Sequence, residues 1–170
     1  WPFQGLPKGD KMDWIIQKAV ELGVCGIVPM ATRRSVVRLD QKKAEAKVRR
    51  WNAVSESAAK QSGRMIVPKV CQAVSFSQAC AMVQKMDVGL IPYELADGME
   101  EARALFDRIQ PGMEAGILIG PEGGFDVEEV EEAKQAGICP ISLGRRILRT
   151  ETAGMAALSM LMFHLEGRNS

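Results

Sequence analysis

Short apolar runs alternate with stretches of helical period along this chain, and that alternation limits the possible folds more than any other feature. The runs are "CGIVPMAT" (25–32), "MIVPKV" (65–70), "VGLIP" (88–92), "AGILI" (115–119) and "ICPISL" (138–143). The opening "WPFQGL" predicts a further short strand ending near Leu6, and "SVVRL" (35–39) another. Between them lie helical stretches at 10–23, from Asp40 to about Gln61, and at 75–86, 99–109, 127–137 and 152–167. In the first of these Met12, Ile15, Ile16, Ala19 and Val20 recur at helical spacing. Gly23 and Gly63 supply stop signals, Asp40 a start, and Asp126 with Glu129 the spacing of a capping box. Strand alternating with helix predicts an α/β fold with a mostly parallel sheet and helices on both faces. With 170 residues and neither an internal repeat nor a low-complexity linker, one domain is expected over 1–170.

Charge and residue usage remove several classes of function. Charged residues make up 25% of the chain and nearly cancel, at a formal net charge of +1. No apolar run is long enough to span a bilayer, and no basic-then-apolar leader opens the chain. Cys25, Cys71, Cys80 and Cys139 are scattered without a CxxC pair. That argues against a metal site and for a reducing, cytoplasmic setting. His164 is the only histidine, which leaves no His pair and makes a Ser-His-Asp triad a poor explanation. Residues 33–50 carry eight Arg or Lys against two Asp or Glu. This run is either a solvated helix face or a surface that steers a polyanion.

In an open α/β sheet, ligands bind beyond the carboxyl ends of the strands. Three segments qualify: "IPYE" (91–94), "IGPEGGFD" (119–126) and "SLGRRILRTETAG" (142–154). "GPEGG" is neither the dinucleotide fingerprint nor the phosphate loop. Its glycines are compatible with a tight turn, and equally with close approach of the backbone to a flat ligand. In the last segment Arg145, Arg146 and Arg149 precede Thr150 and Glu151 at a helix start, a setting suited to an anion. Ile147 and Leu148 either anchor that loop or wall a pocket. A further cluster, "ESAAKQSGR" (56–64), places Glu56, Lys60, Gln61 and Arg64 around a helix end. It is either an exposed helix pair with its flank or a face for RNA. Trp14, Trp51, His164, Cys25 and Cys139 read as packing residues.

"LPKGDKMDWIIQKAVELGV", "ESAAKQSGR", "LIGPEGGF" and "LGRRILRTETA", in this order, resemble the ribosomal RNA small subunit methyltransferase E family of the SPOUT class. The resemblance extends from about Leu6 to Leu165. It implies a C-terminal deep trefoil knot, S-adenosylmethionine held bent within it, and a homodimer whose interface lies beside it. The implied reaction is methylation of uridine N3 in 16S ribosomal RNA. The family's small PUA-like RNA-binding barrel has no counterpart before "LPKG" in these residues. Carried over by motif, the cofactor residues are Leu90, Ile91 and Pro92, then Ile119, Gly120, Glu122 and Gly124, then Leu143, Gly144, Ile147, Leu148 and Thr150. Arg33, Arg34, Lys60, Arg64, Arg145, Arg146 and Arg149 are the expected RNA contacts. No metal is implied.

The implied chemistry needs a proton removed from uridine N3 and the resulting anion stabilised. Arg64 and Arg149 are the electrostatic candidates, and Glu122 and Glu151 the carboxylates that orient the base or take its proton. A carboxylate of ordinary pKa, about 4, is a weak match for so poor an acid. A catalytically silent RNA-binding or ribosome-assembly module of the same fold is the alternative.

Overall fold

The computed structural model describes residues 1–35, 41–96 and 100–166. Strands β1 (Pro2–Gly5), β2 (Gly26–Ala31), β3 (Lys69–Val70), β4 (Val74–Ser75), β5 (Val88–Pro92), β6 (Ala115–Ile119) and β7 (Cys139–Ile141) form one sheet. Its order is β3-β2-β1-β6-β5-β7, with β4 also pairing β2. Every one of these pairs is parallel. The helices are α1 (Lys11–Glu21), α2 (Gln41–Gln61), α3 (Phe76–Val83), α4 (Glu100–Arg108), α5 (Val127–Gln135) and α6 (Thr150–Glu166).

Period-two alternation divides the core between the two faces of the sheet. Ile27, Leu90, Ile117 and Ile119 pack with Ile16 and Val20 of α1, Trp51 of α2, Phe106 of α4 and Leu158 of α6. Val28, Met30, Ile91 and Leu118 pack on the other face with Ala79 and Val83 of α3 and Val130 and Ala133 of α5. The five apolar positions predicted in α1 are all buried. Gly89 and Gly116, paired in register, lie under Val83, where a Cβ at either would come within 2.7 Å of it.

The capping box of α5 forms as its spacing predicts, with Glu129 accepting the Asp126 amide. A second box, Ser75 with Gln78, starts α3. The strand expected over 65–70 shortens to Lys69–Val70, because β2 offers partners only there, opposite Gly26 and Ile27. Met65 and Ile66 stand in solvent instead, and Cys25, expected in the core, is exposed. Trp14 is also exposed, whereas Trp51 is buried. The strand expected at 35–39 and the Asp40 start signal lie outside the described residues.

Strand order reverses between β1 and β6, with β2 and β3 to one side and β5 and β7 to the other. The chain leaves the edge strand β7 and returns to this reversal point to begin α6. Gln4 Nε2 of β1 donates to Thr150 Oγ1 at 2.9 Å, and Thr150 Oγ1 donates to the Gly120 carbonyl beyond β6. No helix among the described residues is long and apolar enough to cross a membrane.

Candidate functional site

Parallel neighbours end on one edge of the sheet, so the segments following β5, β6 and β7 lie side by side. They enclose a cleft of about 210 Å³. From the segment after β5 come Pro92, Tyr93 and Glu94; after β6, Gly120 to Phe125; after β7, Ser142, Leu143, Gly144, Arg146, Ile147 and Leu148. Thr150 and Ala153 of α6 complete the wall.

The three loops expected to converge therefore do so. Pro92, Gly120, Glu122, Gly124, Leu143, Gly144, Ile147, Leu148 and Thr150 all line the cleft. Leu90, Ile91 and Ile119 do not; they are buried in the two cores beneath it. Period-two alternation explains this, since a strand interior buried on both faces has no side chain left for its end. Tyr93, Glu94, Phe125 and Ser142 line the cleft without having been expected. Their one sequence signal is adjacency to expected residues in the same loops.

The loop after β6 is a tight turn closed by the Gly124 amide on the Pro121 carbonyl, with Gly124 at φ 66. A Cβ on Gly120 would come within 3.3 Å of the Gly124 backbone, so any other residue there would have to push the turn open by a few tenths of an ångström. Glu122 is tied to the segment that joins β1 to α1. Its Oε1 accepts the Lys8 amide at 3.0 Å and the Lys11 ammonium at 3.1 Å. Burial acts to raise this carboxyl, but its own amide, the Lys8 amide and the Lys11 ammonium outweigh it and hold it below the ordinary carboxylate value. Lys11 Nζ also lies 3.9 Å from Glu151 Oε2, a buried oxygen with no hydrogen-bond partner among the described residues.

The expected RNA cations fall into two groups. Arg145, Arg146 and Arg149 are exposed, and their side chains meet no hydrogen-bond or ion-pair partner among the described residues. The others are occupied. Arg33 binds the Glu128 carboxylate, and its amide donates to Glu129. Arg34 donates to the Gly123 carbonyl at 3.0 Å. Lys60 pairs with Glu56 at 2.7 Å. Arg64 lies away from the cleft lining: its Nη1 donates to the carbonyls of Val20 and Val24, closing the C-terminal end of α1.

The doubly covered parallel sheet that carries this cleft is a fold shared with a SpoU-type methyltransferase. With the SpoU methyltransferase AviRb from Streptomyces viridochromogenes the chain shares a TM-score of 0.56 at 17% identity, over 99% of this chain and 61% of that one, a likeness of fold alone. Residues 2–162 match the RNA methyltransferase domain family, and the chain belongs to it.

Similarity narrows further to one kind of relative. The chain is 42% identical over 165 residues to ribosomal RNA small subunit methyltransferase E of Bacillus subtilis, covering 95% of this chain and 64% of that protein. The crystal structure of a ribosomal RNA small subunit methyltransferase E from Neisseria gonorrhoeae bound to S-adenosyl methionine superposes with a TM-score of 0.82 at 34% identity. That alignment covers 96% of this chain and 65% of the other. The chain thus spans less than two thirds of the length of either of these two relatives.

Proposed function

We propose that the chain is the methyl-transferring part of an enzyme that methylates uridine N3 in 16S ribosomal RNA with S-adenosylmethionine, in the cytoplasm. The observation that carries this reading is the convergence of the loops after β5, β6 and β7 on one cleft. The names of the relatives and the cofactor bound to the Neisseria protein support it.

The cleft fits such a cofactor. Ligand sites commonly enclose roughly 300–1,000 Å³. At about 210 Å³, this one suits the flat, ring-bearing part of a ligand, with the remainder at its open mouth. The 120–125 turn and 142–144 bring backbone close to the space a purine would fill, and Leu143 and Leu148 offer apolar walls. When bound, S-adenosylmethionine supplies an electrophilic methyl group on a sulfonium sulfur. The protein's part is to hold the uracil in line with it and to handle the N3 proton.

Of the two candidate carboxylates, Glu151 has a buried oxygen that accepts no hydrogen bond among the described residues and faces the Lys11 ammonium at 3.9 Å, whereas Glu122 Oε1 accepts two hydrogen bonds. Glu151 is therefore assigned to accept or orient the N3–H. Arg149 stands two residues ahead of it and is assigned to the developing negative charge on the uracil. Arg145 and Arg146 are assigned to phosphates, since their charge is not spent inside the protein. Arg64, Arg33, Arg34 and Lys60 are assigned structural duties instead.

The return of the chain from β7 to the β1–β6 reversal point is the path a C-terminal trefoil knot requires. Threading of residues 142–150 through the preceding loop belongs to this proposal. So does a homodimer through α6, whose exposed Phe163 and half-buried Met155, Met160 and Met162 leave an apolar face beside that return.

Two measurements test the reading. Calorimetry with S-adenosylmethionine is expected to give saturable heat from this chain. Mass analysis of 16S ribosomal RNA, in small subunits incubated with the chain and cofactor, is expected to find one uridine heavier by a methyl group. Heat without a modified uridine would favour the RNA-binding module, and no heat from an intact fold would sink the catalytic reading.

A further inference from the structure

The turn at 121–124 is held from outside the cleft at two successive residues, and both restraints come from the far side of the strand reversal. Glu122 Oε1 is gripped by the Lys8 amide and the Lys11 ammonium, in the segment that joins β1 to α1. The Gly123 carbonyl is gripped by Arg34, in the segment following β2. Backbone contact reinforces the first restraint: a Cβ on Gly5, at the end of β1, would come within 2.6 Å of the Pro121 nitrogen. Lys11 also lies 3.9 Å from Glu151, so one ammonium faces both the turn and the first turn of α6.

An exposed ion pair adds little to global stability. Its effect here is local, because the 120–125 turn has one charged side chain and that side chain is held by groups more than 100 residues distant in sequence. We propose that Lys11 is a positioning residue of the ligand cleft: through Glu122 it fixes the 120–125 turn in its ligand-receiving shape before any ligand arrives. Lys11 touches neither cofactor nor uracil in this account. The inference rests on the methyltransferase reading for its ligand, but the strap itself is measurable without one.

Hydrogen exchange of the ligand-free protein reads the strap directly. In Lys11→Met, amide exchange in the peptide spanning 120–125 is expected to rise about tenfold, with α2 and α4 unchanged. The melting temperature is expected to stay within about 2 °C of the parent. Affinity for S-adenosylmethionine by calorimetry is expected to fall about tenfold, with Lys11→Arg restoring both readouts. Glu122→Gln reproduces the loss, and the double variant Lys11→Met/Glu122→Gln is no worse than either single one. An unchanged turn in Lys11→Met, or losses that add in the double variant, would overturn the proposal. A loosened turn in a chain whose parent gives no heat with S-adenosylmethionine removes the methyltransferase reading and leaves the strap standing. Heat from the parent with an unloosened turn does the reverse.

Discussion

At the residue scale, Gln4 and Thr150 form the tie on which the C-terminal return depends. Gln4 is almost fully buried, and its amide donates to both the Gly5 carbonyl and Thr150 Oγ1. Replacing Gln4 by Leu strands Thr150 Oγ1 with one partner and frees the Gly5 carbonyl. We expect a loss of about 1–3 kcal/mol in urea unfolding, the cost of leaving such groups unmade. Glu122 carries a pH signature. Its carboxyl is held below the ordinary value in the folded chain, so its stabilising contribution is complete above the ordinary carboxylate pKa and disappears as pH falls through the depressed one. The melting temperatures of the parent and Glu122→Gln should therefore differ most near neutrality and converge in acid. A gap that widens toward acid would contradict the assigned sign.

At the element scale, close approach decides which sequences the sheet tolerates. Val83 of α3 sits over the Gly89–Gly116 pair. Gly116→Val would force α3 off the sheet and is expected to cost about 1–3 kcal/mol or more by denaturant unfolding. The elements themselves were largely legible. α1, α3, α5 and α6 fall where the apolar spacing and start signals put them, to within a few residues at the ends. The segment at 65–70 departs from its expected strand for a physical reason. "MIVPKV" is apolar and β-prone, but a strand needs a neighbour, and β2 provides one only for its last two residues. Ahead of these, Pro68 has no amide to give to a ladder, and its carbonyl is taken by Ser55 Oγ.

At the scale of the whole molecule, α6 leaves apolar surface uncovered. It is apolar on nearly every side, yet only Thr150, Gly154, Ala157, Leu158 and Leu161 are buried. A helix apolar on all sides is ordinarily buried, and the proposed homodimer would bury this one. If a second copy covers it, Phe163→Glu should shift the chain toward monomer in sedimentation velocity while leaving its circular dichroism unchanged. A parent chain that sediments as a monomer at all concentrations would refute the interface. The sequence by itself determined the α/β alternation, the helix starts and the three loops that carry the site, because each depends on local spacing and turn chemistry. Only the tertiary structure decided which charges are free. Arg64 and Arg34 are as basic in sequence as Arg145 and Arg146, but α1 and the 120–125 turn claim the first pair, while the second pair meets no acceptor. The same holds for the carboxylates: nothing local separates Glu122 from Glu151, but Lys8 and Lys11, brought across the strand reversal, donate hydrogen bonds to the first, while the second keeps a buried oxygen that accepts none among the described residues and faces Lys11 at 3.9 Å. These pairings join residues from 40 to 114 positions apart, and no local pattern encodes them.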